Sequence, residues 1–350
     1  MVNELSLAAL ALAYGFLFAW AFRTLPQEGW QILASLPQEK LDNGAWTGLN
    51  FTYYGAFTAS SVALAAALVT VLVGSLSVPL NLIGALATLL LGLCIPAAKW
   101  IARAVEAKPY TFTIGGASFV GLLAVPWLIL LVNATIGQAV AYELPVVGTL
   151  AAASIAYAIG EGTGRLACIS FGCCYGKPVQ ASAALLRHLF RNRHFAFAGA
   201  TKKVAYEGAL ELVPVIPIQG ITAVLFVAAA LIGMALFLHG HFLAAFLETV
   251  LVTQTWRSIS ECFRADYRGQ RMVGVYPIFA LLSAGYALVV ALLLPAPGVV
   301  QPNLLTGLQL LWHPGTILSL QAVWLLIFLY TGRSHVTTST ITFAVLKDRI

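Results

Sequence analysis

Nine long apolar stretches constrain the fold of this chain more than any other feature of its sequence. Each stretch is close to the length of about 20 residues that an α-helix needs to cross the hydrocarbon of a bilayer. They lie at 5–22, 51–75, 79–98, 110–133, 145–167, 217–238, 242–259, 273–295 and 315–331. None shows the alternation of polar and apolar residues that marks the strands of membrane barrels. Helices are therefore the spanning element that the sequence predicts.

The composition excludes a water-soluble protein of this size. Asp, Glu, Lys and Arg make up 9% of the 350 residues, whereas soluble domains contain roughly 25%. Hydrophobic residues make up 60%, so too few polar side chains exist to cover a surface in water. We predict an all-α integral membrane protein, a polytopic helical bundle of about nine transmembrane helices.

Basic residues are distributed unevenly between the two sides of the predicted bundle. Of the 19 Lys and Arg residues, 17 lie in the connections after the first, third, fifth, seventh and ninth spans. The N-terminus and the other connections contain none. By the positive-inside rule, the charged side is cytoplasmic and the N-terminus lies outside. We interpret the net charge of +6 as interfacial anchoring and a lipid-phosphate site, not as nucleic-acid binding.

Two connections, 23–50 and 168–216, are long enough to fold over the membrane surface. Within the second, 185–193 alternates arginines with large apolar residues in a pattern typical of a short amphipathic helix. Such a helix lies either at the level of the lipid headgroups or on an ordinary solvated surface. The sequence leaves both positions open.

The two remaining arginines, Arg165 and Arg257, fall within or at the ends of predicted spans. A guanidinium in a spanning helix costs about 2.5–3.5 kcal/mol, and is retained where it faces a cavity, a carboxylate or a ligand. The spacing of Arg257, Glu261 and Arg264 predicts one shared helix face with net positive charge. There Glu261 would orient both guanidiniums for a phosphate, or form a salt bridge at the helix end. Glu161 is the predicted partner of Arg165, one turn away.

Three of the five cysteines, Cys168, Cys173 and Cys174, lie close together in the sequence. Adjacent cysteines fit poorly around one tetrahedral ion, and no Cys-x2-Cys pair is present. His188 and His194 would complete a ligand set if the loop folded back. We predict no metal and interpret the cysteines as small packing residues at a helix end.

Five short blocks occur in order between residues 50 and 295. They are Tyr53-Tyr54-Gly55, Gly115-Gly116-Ala117-Ser118-Phe119, Gly164-Arg165 with Gly172 to Gly176, Pro217-Ile218-Gln219, and Arg257-x3-Glu261-x2-Arg264. Together they resemble the bacterial prolipoprotein diacylglyceryl transferase family, in particular its divergent relatives with a Gly-Cys-Cys-Tyr-Gly segment. The resemblance implies a transferase-like core at 51–295 with a surface segment at 168–216. Residues 1–50 would add an N-terminal transmembrane helix and a surface loop, and 296–350 a C-terminal transmembrane helix and a tail.

The family transfers diacylglyceryl from phosphatidylglycerol to a prolipoprotein cysteine and releases glycerol phosphate. The resemblance therefore implies a transferase of the bacterial inner membrane that uses no cofactor. Its partners would be a phospholipid and an acceptor protein or small molecule. The implied catalytic residues, which would hold the lipid phosphate and stabilise the leaving group, are Arg165, Arg257, Glu261 and Arg264. The implied substrate-binding residues are Tyr54, Gly115, Gly116, Ser118, Glu161, Cys173, Gly176 and Gln219, with Gly176 letting the backbone approach the substrate.

The sequence departs from the family pattern where the acceptor thiol has to lose its proton. Val120 stands in the place of a histidine, and Cys168 and Cys173 stand in the places of Asn and Glu. Because valine accepts no proton, Tyr54, Glu161 and Cys173 are the candidate bases. The family's active face is extracytoplasmic, whereas the basic connections favour a cytoplasmic one. Transfer of the phosphoglycerol headgroup, or lipid binding or transport without catalysis, are the alternative functions.

Overall fold

The computed structural model describes residues 2–106, 113–266, 274–294 and 301–350. It is mostly helical (69%), and eight helices of the described residues are long and apolar enough to cross a membrane. The α-helices are α1 (Val2–Thr24), α2 (Tyr53–Gly74), α3 (Leu80–Glu106), α4 (Ile114–Val132), α5 (Val146–Phe171), α6 (Ala184–Phe190), α7 (Lys203–Tyr206), α8 (Ile218–Leu238), α9 (Phe242–Ser260), α10 (Val275–Leu293), α11 (Leu304–Leu311) and α12 (Pro314–Thr331). The predicted helical, polytopic character of the chain is confirmed.

The seventh predicted span, 242–259, forms helix α9 but is not among these eight helices. Its apolar face is interrupted by the polar side chains of Glu248, Gln254 and Arg257, which lower its hydropathy. The predicted number of nine spans is therefore not reached by the helices that the structure describes. Helix α9 nevertheless packs against α5, α8 and α10, and so carries its polar residues into the bundle.

A three-stranded antiparallel sheet is present that the sequence analysis did not predict. Strands β1 (Ile32–Lys40), β2 (Trp46–Thr52) and β3 (Arg333–Ile341) are hydrogen-bonded in the order β1-β2-β3. The predicted surface loop 23–50 is therefore largely a β-hairpin, and the all-α prediction is wrong for these residues. Strand β1 tolerates Pro37 because it lies at the sheet edge, beside a register shift between Pro37 and Glu39.

The sheet joins the two ends of the described chain. Strand β2, which leads directly into α2, pairs with β3, which follows α12. Helix α12 also packs along α2, where the Trp324 indole donates a hydrogen bond to Ser60 Oγ at 3.0 Å. The N-terminal and C-terminal segments, predicted as separate additions to a core, thus contact each other. The proposed domain boundaries themselves remain a prediction.

Helix α5 is the central helix of the bundle. It packs against α2, α8 and α9, and 78% of the residues in its most apolar 18-residue stretch are buried. Small residues permit this close packing, as they do at helix contacts in membranes generally. A Cβ at Gly160 would lie 2.9 Å from Ala65 Cβ, and one at Gly162 would lie 2.9 Å from Val227. The polar side chains of α5 are consequently held inside the bundle.

The connection between α5 and α8 covers one end of the bundle. Its predicted amphipathic helix is confirmed in part as α6, where Leu185 and Leu189 are 77% and 51% exposed. Whether these side chains enter the headgroup region stays a prediction. Further along, Lys202 is completely buried, and its Nζ donates hydrogen bonds to Leu25 O (3.1 Å) and Ser170 O (2.6 Å). These bonds tie the connection to the ends of α1 and α5.

The buried Lys202 predicts a specific pH dependence of stability. Burial lowers the pKa of Lys202 from 10.5 to about 8, although the nearby Glu28 partly opposes this shift. Between these two values the unfolded chain binds more protons, so the free energy of unfolding rises with pH, by on the order of 2 kcal/mol. We expect Lys202→Met to remove this rise, measured as Tm in detergent across that pH window. Lys203→Met is the neighbouring control, and parallel pH profiles of the wild type and Lys202→Met would contradict the prediction.

Candidate functional site

Two arginines share one carboxylate in the interior of the bundle. Glu161 of α5 forms an ion pair with Arg165, one turn further along the same helix, as the sequence predicted. Its Oε2 also lies 2.7 Å from Nη2 of Arg257 on α9, in an ion pair without the alignment of a hydrogen bond. The Glu161 side chain is 1% exposed, and the two arginines are 12% and 10% exposed. We call Arg165, Glu161 and Arg257 the Arg–Glu–Arg cluster.

Two further polar residues, which the sequence analysis missed, support this cluster. The Tyr157 hydroxyl accepts hydrogen bonds from Arg257 Nη2 at 3.2 Å and from Gln254 Nε2 at 3.3 Å. Tyr157 precedes Glu161 by one turn of α5, and Gln254 precedes Arg257 by nearly one turn of α9. Helical spacing around the buried charges is therefore the signal that identifies both residues.

Glu261 does not orient both arginines as predicted. Helix α9 ends at Ser260, Glu261 begins a short 3-10 helix, and Arg264 has extended backbone with φ −85° and ψ 151°. Within the described residues, Glu261 pairs with Arg264 at 3.4 Å and not with Arg257. The predicted helix face shared by Arg257, Glu261 and Arg264 is wrong because α9 ends at Ser260, before Glu261. The alternative, a salt bridge at the helix end, is the contact that Glu261 and Arg264 form.

Asp266 is the carboxylate that holds Arg264. The Nε and Nη2 atoms of Arg264 donate to the two Asp266 oxygens, each at 2.8 Å. This bidentate geometry is the strongest that a guanidinium and a carboxylate can form. The three arginines of the site are thus matched by three carboxylates, Glu161, Glu261 and Asp266, and the predicted net positive charge is absent from this set.

Three chain segments meet next to the cluster, and we call their meeting point the three-segment junction. The segment after α5 pairs with the segment after α9 through Lys177 N to Phe263 O at 2.9 Å. It also pairs with the segment before α8 through Ile216 N to Lys177 O at 3.0 Å. At Gly176 a side chain would collide with the Ile216 carbonyl. Gly176 therefore permits close approach of the protein's own backbone, and its predicted approach to substrate stays a prediction.

A small cleft lies between this junction and the Arg–Glu–Arg cluster. Its lining residues are Arg165, Cys174, Ile218, Gln219, Thr222, Ser260 and Arg264. Gln219 is buried, and its Nε2 donates to Cys173 O at 2.9 Å. The buried Gln219 Oε1 and Arg165 Nε atoms have no hydrogen-bond partner among the described residues, and neither does Arg257 Nε. Buried polar atoms are normally paired, so these unpaired donors are available to a ligand, and of the two arginines Arg165 lines the cleft.

Tyr54 lies near the end of α5 and the cysteines that follow it. It is the second residue of α2, and its ring lies 5.6 Å from that of Phe171, at the end of α5. Its hydroxyl lies near Arg165 and the three neighbouring cysteines. The predicted role of Tyr54 in substrate binding stays a prediction.

The glycines at the start of α4 have different surroundings. A Cβ on Gly115 would lie 3.0 Å from Arg257 Nη1, so the absence of a side chain leaves room for the guanidinium. A Cβ on Gly116 would instead meet Ile101 of α3 at 2.9 Å. Ser118 turns back to its own helix and donates to Gly115 O at 3.1 Å. Gly115 therefore contacts the cluster, and Ser118 lies near Tyr157, which supports the cluster.

The three clustered cysteines are brought together in space. The sulfur atoms of Cys168, Cys173 and Cys174 all lie within 4.8 Å of one another. Gly172 ends α5 in the left-handed conformation (φ 71°), and Cys174 is also left-handed (φ 57°). These two turns reverse the chain and point adjacent cysteines toward the same region. The interpretation of the cysteines as separate packing residues is therefore incomplete.

Comparison with known proteins adds no assignment to this geometry. No protein-family model matches the chain, and no curated protein matches it significantly. Membership of the family that the sequence blocks resemble is therefore a proposal. What the described residues establish is a polytopic helical bundle whose polar interior holds an Arg–Glu–Arg cluster, a cleft and three converging thiols.

Proposed function

We propose that the protein is a phosphatidylglycerol-dependent transferase of the prolipoprotein diacylglyceryl transferase type. The observation that supports it most directly is the buried Arg–Glu–Arg cluster, whose two Nε donors have no partner among the described residues. Two buried guanidiniums fixed by one carboxylate suit a phosphate group, because their planar donors match its oxygens. The five sequence blocks, through the family that they resemble, suggest phosphatidylglycerol as the lipid and diacylglyceryl transfer as the reaction.

The depth of the cluster favours a membrane lipid as the phosphate source. Arg165 lies in the last two turns of α5, and Arg257 lies in the last turn of α9. Residues near the ends of the helices of a membrane bundle lie close to the headgroup level, where phospholipid phosphates are found. The acyl chains of a bound lipid would then extend along the apolar helices.

The proposed reaction uses the arginines to stabilise charge on the leaving group. The acceptor nucleophile attacks the glycerol carbon of the diacylglyceryl group, the carbon–oxygen bond to the phosphate breaks, and its electron pair leaves on the phosphate oxygen. Arg165 and Arg257 bind the glycerol phosphate that forms. Fixed donors in a site shielded from water stabilise such charge more effectively than water does.

A turnover assay in vesicles tests the proposal. We expect purified protein in phosphatidylglycerol vesicles to release glycerol phosphate and to attach diacylglyceryl to a synthetic lipobox peptide, measured by mass spectrometry. Arg165→Lys and Arg257→Lys retain the charge but lose the planar fork, so we expect at least a tenfold loss of turnover, about 1.4 kcal/mol. Arg191→Lys and Arg193→Lys, at exposed positions, are the matched controls.

Three outcomes would contradict the assignment in different ways. Diacylglycerol as the lipid product would indicate transfer of the phosphoglycerol headgroup. Binding of phosphatidylglycerol without its consumption, in the presence of acceptor peptides and small thiols, would indicate a lipid-binding or transport protein. Equal turnover in the buried and exposed lysine variants would remove the cluster from the mechanism.

A further inference from the structure

A group of three thiols lies next to the proposed phosphate site. Cys168 belongs to the last turn of α5 and is 6% exposed, while Cys173 and Cys174 follow the left-handed Gly172. The sulfur atoms lie within 4.8 Å of one another. We call Cys168, Cys173 and Cys174 the three-thiol group. The lipid-phosphate chemistry proposed above does not use it.

We propose that the three-thiol group binds a thiophilic divalent cation of the zinc type and leaves one coordination position open. Zinc–sulfur bonds are about 2.3 Å long, so tetrahedral zinc holds its sulfur ligands about 3.8 Å apart. The sulfur atoms would have to approach one another by about 1 Å or less to reach that separation. Thiolates prefer zinc and copper to magnesium or calcium.

The charges around the three-thiol group favour such a complex. Three thiolates and one divalent cation carry a net charge of −1. Arg165 and Arg264 line the same cleft as Cys174. These guanidiniums would offset the remaining negative charge, which is costly to bury without a partner.

The open coordination position would face the cleft in which the reaction is proposed to take place. Cys174 lines the same cleft as Arg165 and Arg264, so the cation would be adjacent to the proposed phosphate site. Sites with three protein ligands and an open fourth position are the catalytic form of zinc. This part of the inference rests on the proposed function, since it requires an acceptor thiol that enters the cleft.

A cation in this position would activate the acceptor thiol without a protein base. A thiol that coordinates zinc is deprotonated, and its proton passes to water. The bound thiolate sulfur then forms a bond to the glycerol carbon, while the carbon–oxygen bond breaks and its electron pair remains with glycerol phosphate. Such activation would compensate for Val120, which stands where the family has a histidine.

Cadmium titration of the full-length protein tests the site without any lipid. Purified protein is stripped with a chelator and titrated with Cd²⁺ alone, and the ultraviolet sulfur-to-cadmium charge-transfer band and the bound metal are measured. We expect one Cd²⁺ per chain, displaced by Zn²⁺, with at least a tenfold loss of affinity in each of Cys168→Ser, Cys173→Ser and Cys174→Ser. The Cys94→Ser/Cys262→Ser double variant is the matched control and is expected to bind as the wild type does.

The outcomes separate this inference from the proposed function. Absence of stoichiometric binding, or equal binding by the three serine variants and the control, would overturn the metal site. Size exclusion and circular dichroism exclude misfolding as the cause of lost binding. Bound metal without lipid transfer would leave the site standing while the proposed function fails. Undiminished transfer by chelator-stripped protein would support the function and overturn the catalytic role of the cation.

Discussion

Glutamine in place of Glu161 is expected to lower the free energy of unfolding by about 3 kcal/mol and to reduce turnover by about 10²–10³-fold. The substitution preserves the shape of the side chain but removes the one charge that pairs with both Arg165 and Arg257. Two buried guanidiniums would then face each other across a neutral amide. Because the carboxylate is 1% exposed, water is poorly placed to compensate.

Glu261→Gln is the control. It distinguishes a site centred on Glu161 from the predicted helix face in which Glu261 would orient both arginines. Within the described residues Glu261 has one ion pair, to Arg264 at 3.4 Å, and its side chain is 17% exposed, so we expect a much smaller loss of stability. Thermal unfolding in detergent compares the two variants whatever reaction the protein performs. A loss in Glu261→Gln as large as that in Glu161→Gln would contradict the central role of Glu161.

Alanine in place of Gly176 is expected to destabilise the protein by about 2–3 kcal/mol and to abolish most of its turnover. Its Cβ would overlap the Ile216 carbonyl, so the backbone at the three-segment junction has to separate. That separation weakens the bond from Ile216 N to Lys177 O, and it strains the bonds that join the same segment to the one after α9, from Lys177 N to Phe263 O and from Ala265 N to Tyr175 O. Arg264, which lies between these partners, would move away from the cleft.

Gly92→Ala and Gly285→Ala provide matched controls for this substitution. Both glycines lie inside helices, and nothing lies within 4 Å of a Cβ built on either. We expect them to be neutral or slightly stabilising, since alanine favours helix more than glycine does. Unfolding temperatures and binding of Cd²⁺ are the measurements. Wild-type stability of Gly176→Ala would show that the junction adapts, and would contradict the prediction.

The sequence predicts the helices well because each depends on a continuous run of apolar residues. The ion pair of Glu161 with Arg165 is equally predictable, since both residues lie on one helix face. The contact from Glu161 to Arg257 joins helices almost a hundred residues apart, and no local pattern indicates it. The misassigned Glu261 has a related cause, because neither glycine nor proline marks the end of α9 at Ser260.

The sheet and the three-thiol group were missed for different physical reasons. Strand β3 is rich in threonine and typical of a strand, but its partner β2 lies far away in the sequence. Strand β1 contains Pro37, which argues against a strand unless it lies at an edge. In the three-thiol group, a glycine such as Gly172 is a sequence signal for a left-handed helix end. No such signal predicts the left-handed conformation of Cys174.

The pairing of β2 with β3 also fixes the order in which the molecule can be completed during synthesis. Strand β2 ends at Thr52, and β3 begins only at Arg333. A ribosome that adds about 5–20 residues per second needs on the order of 15–60 s to cover that interval. Throughout this time the edge of β2 that will pair with β3 stays unpaired. An unpaired edge can form hydrogen bonds with another chain. Cotranslational insertion of the intervening helices therefore has to finish before this edge is protected.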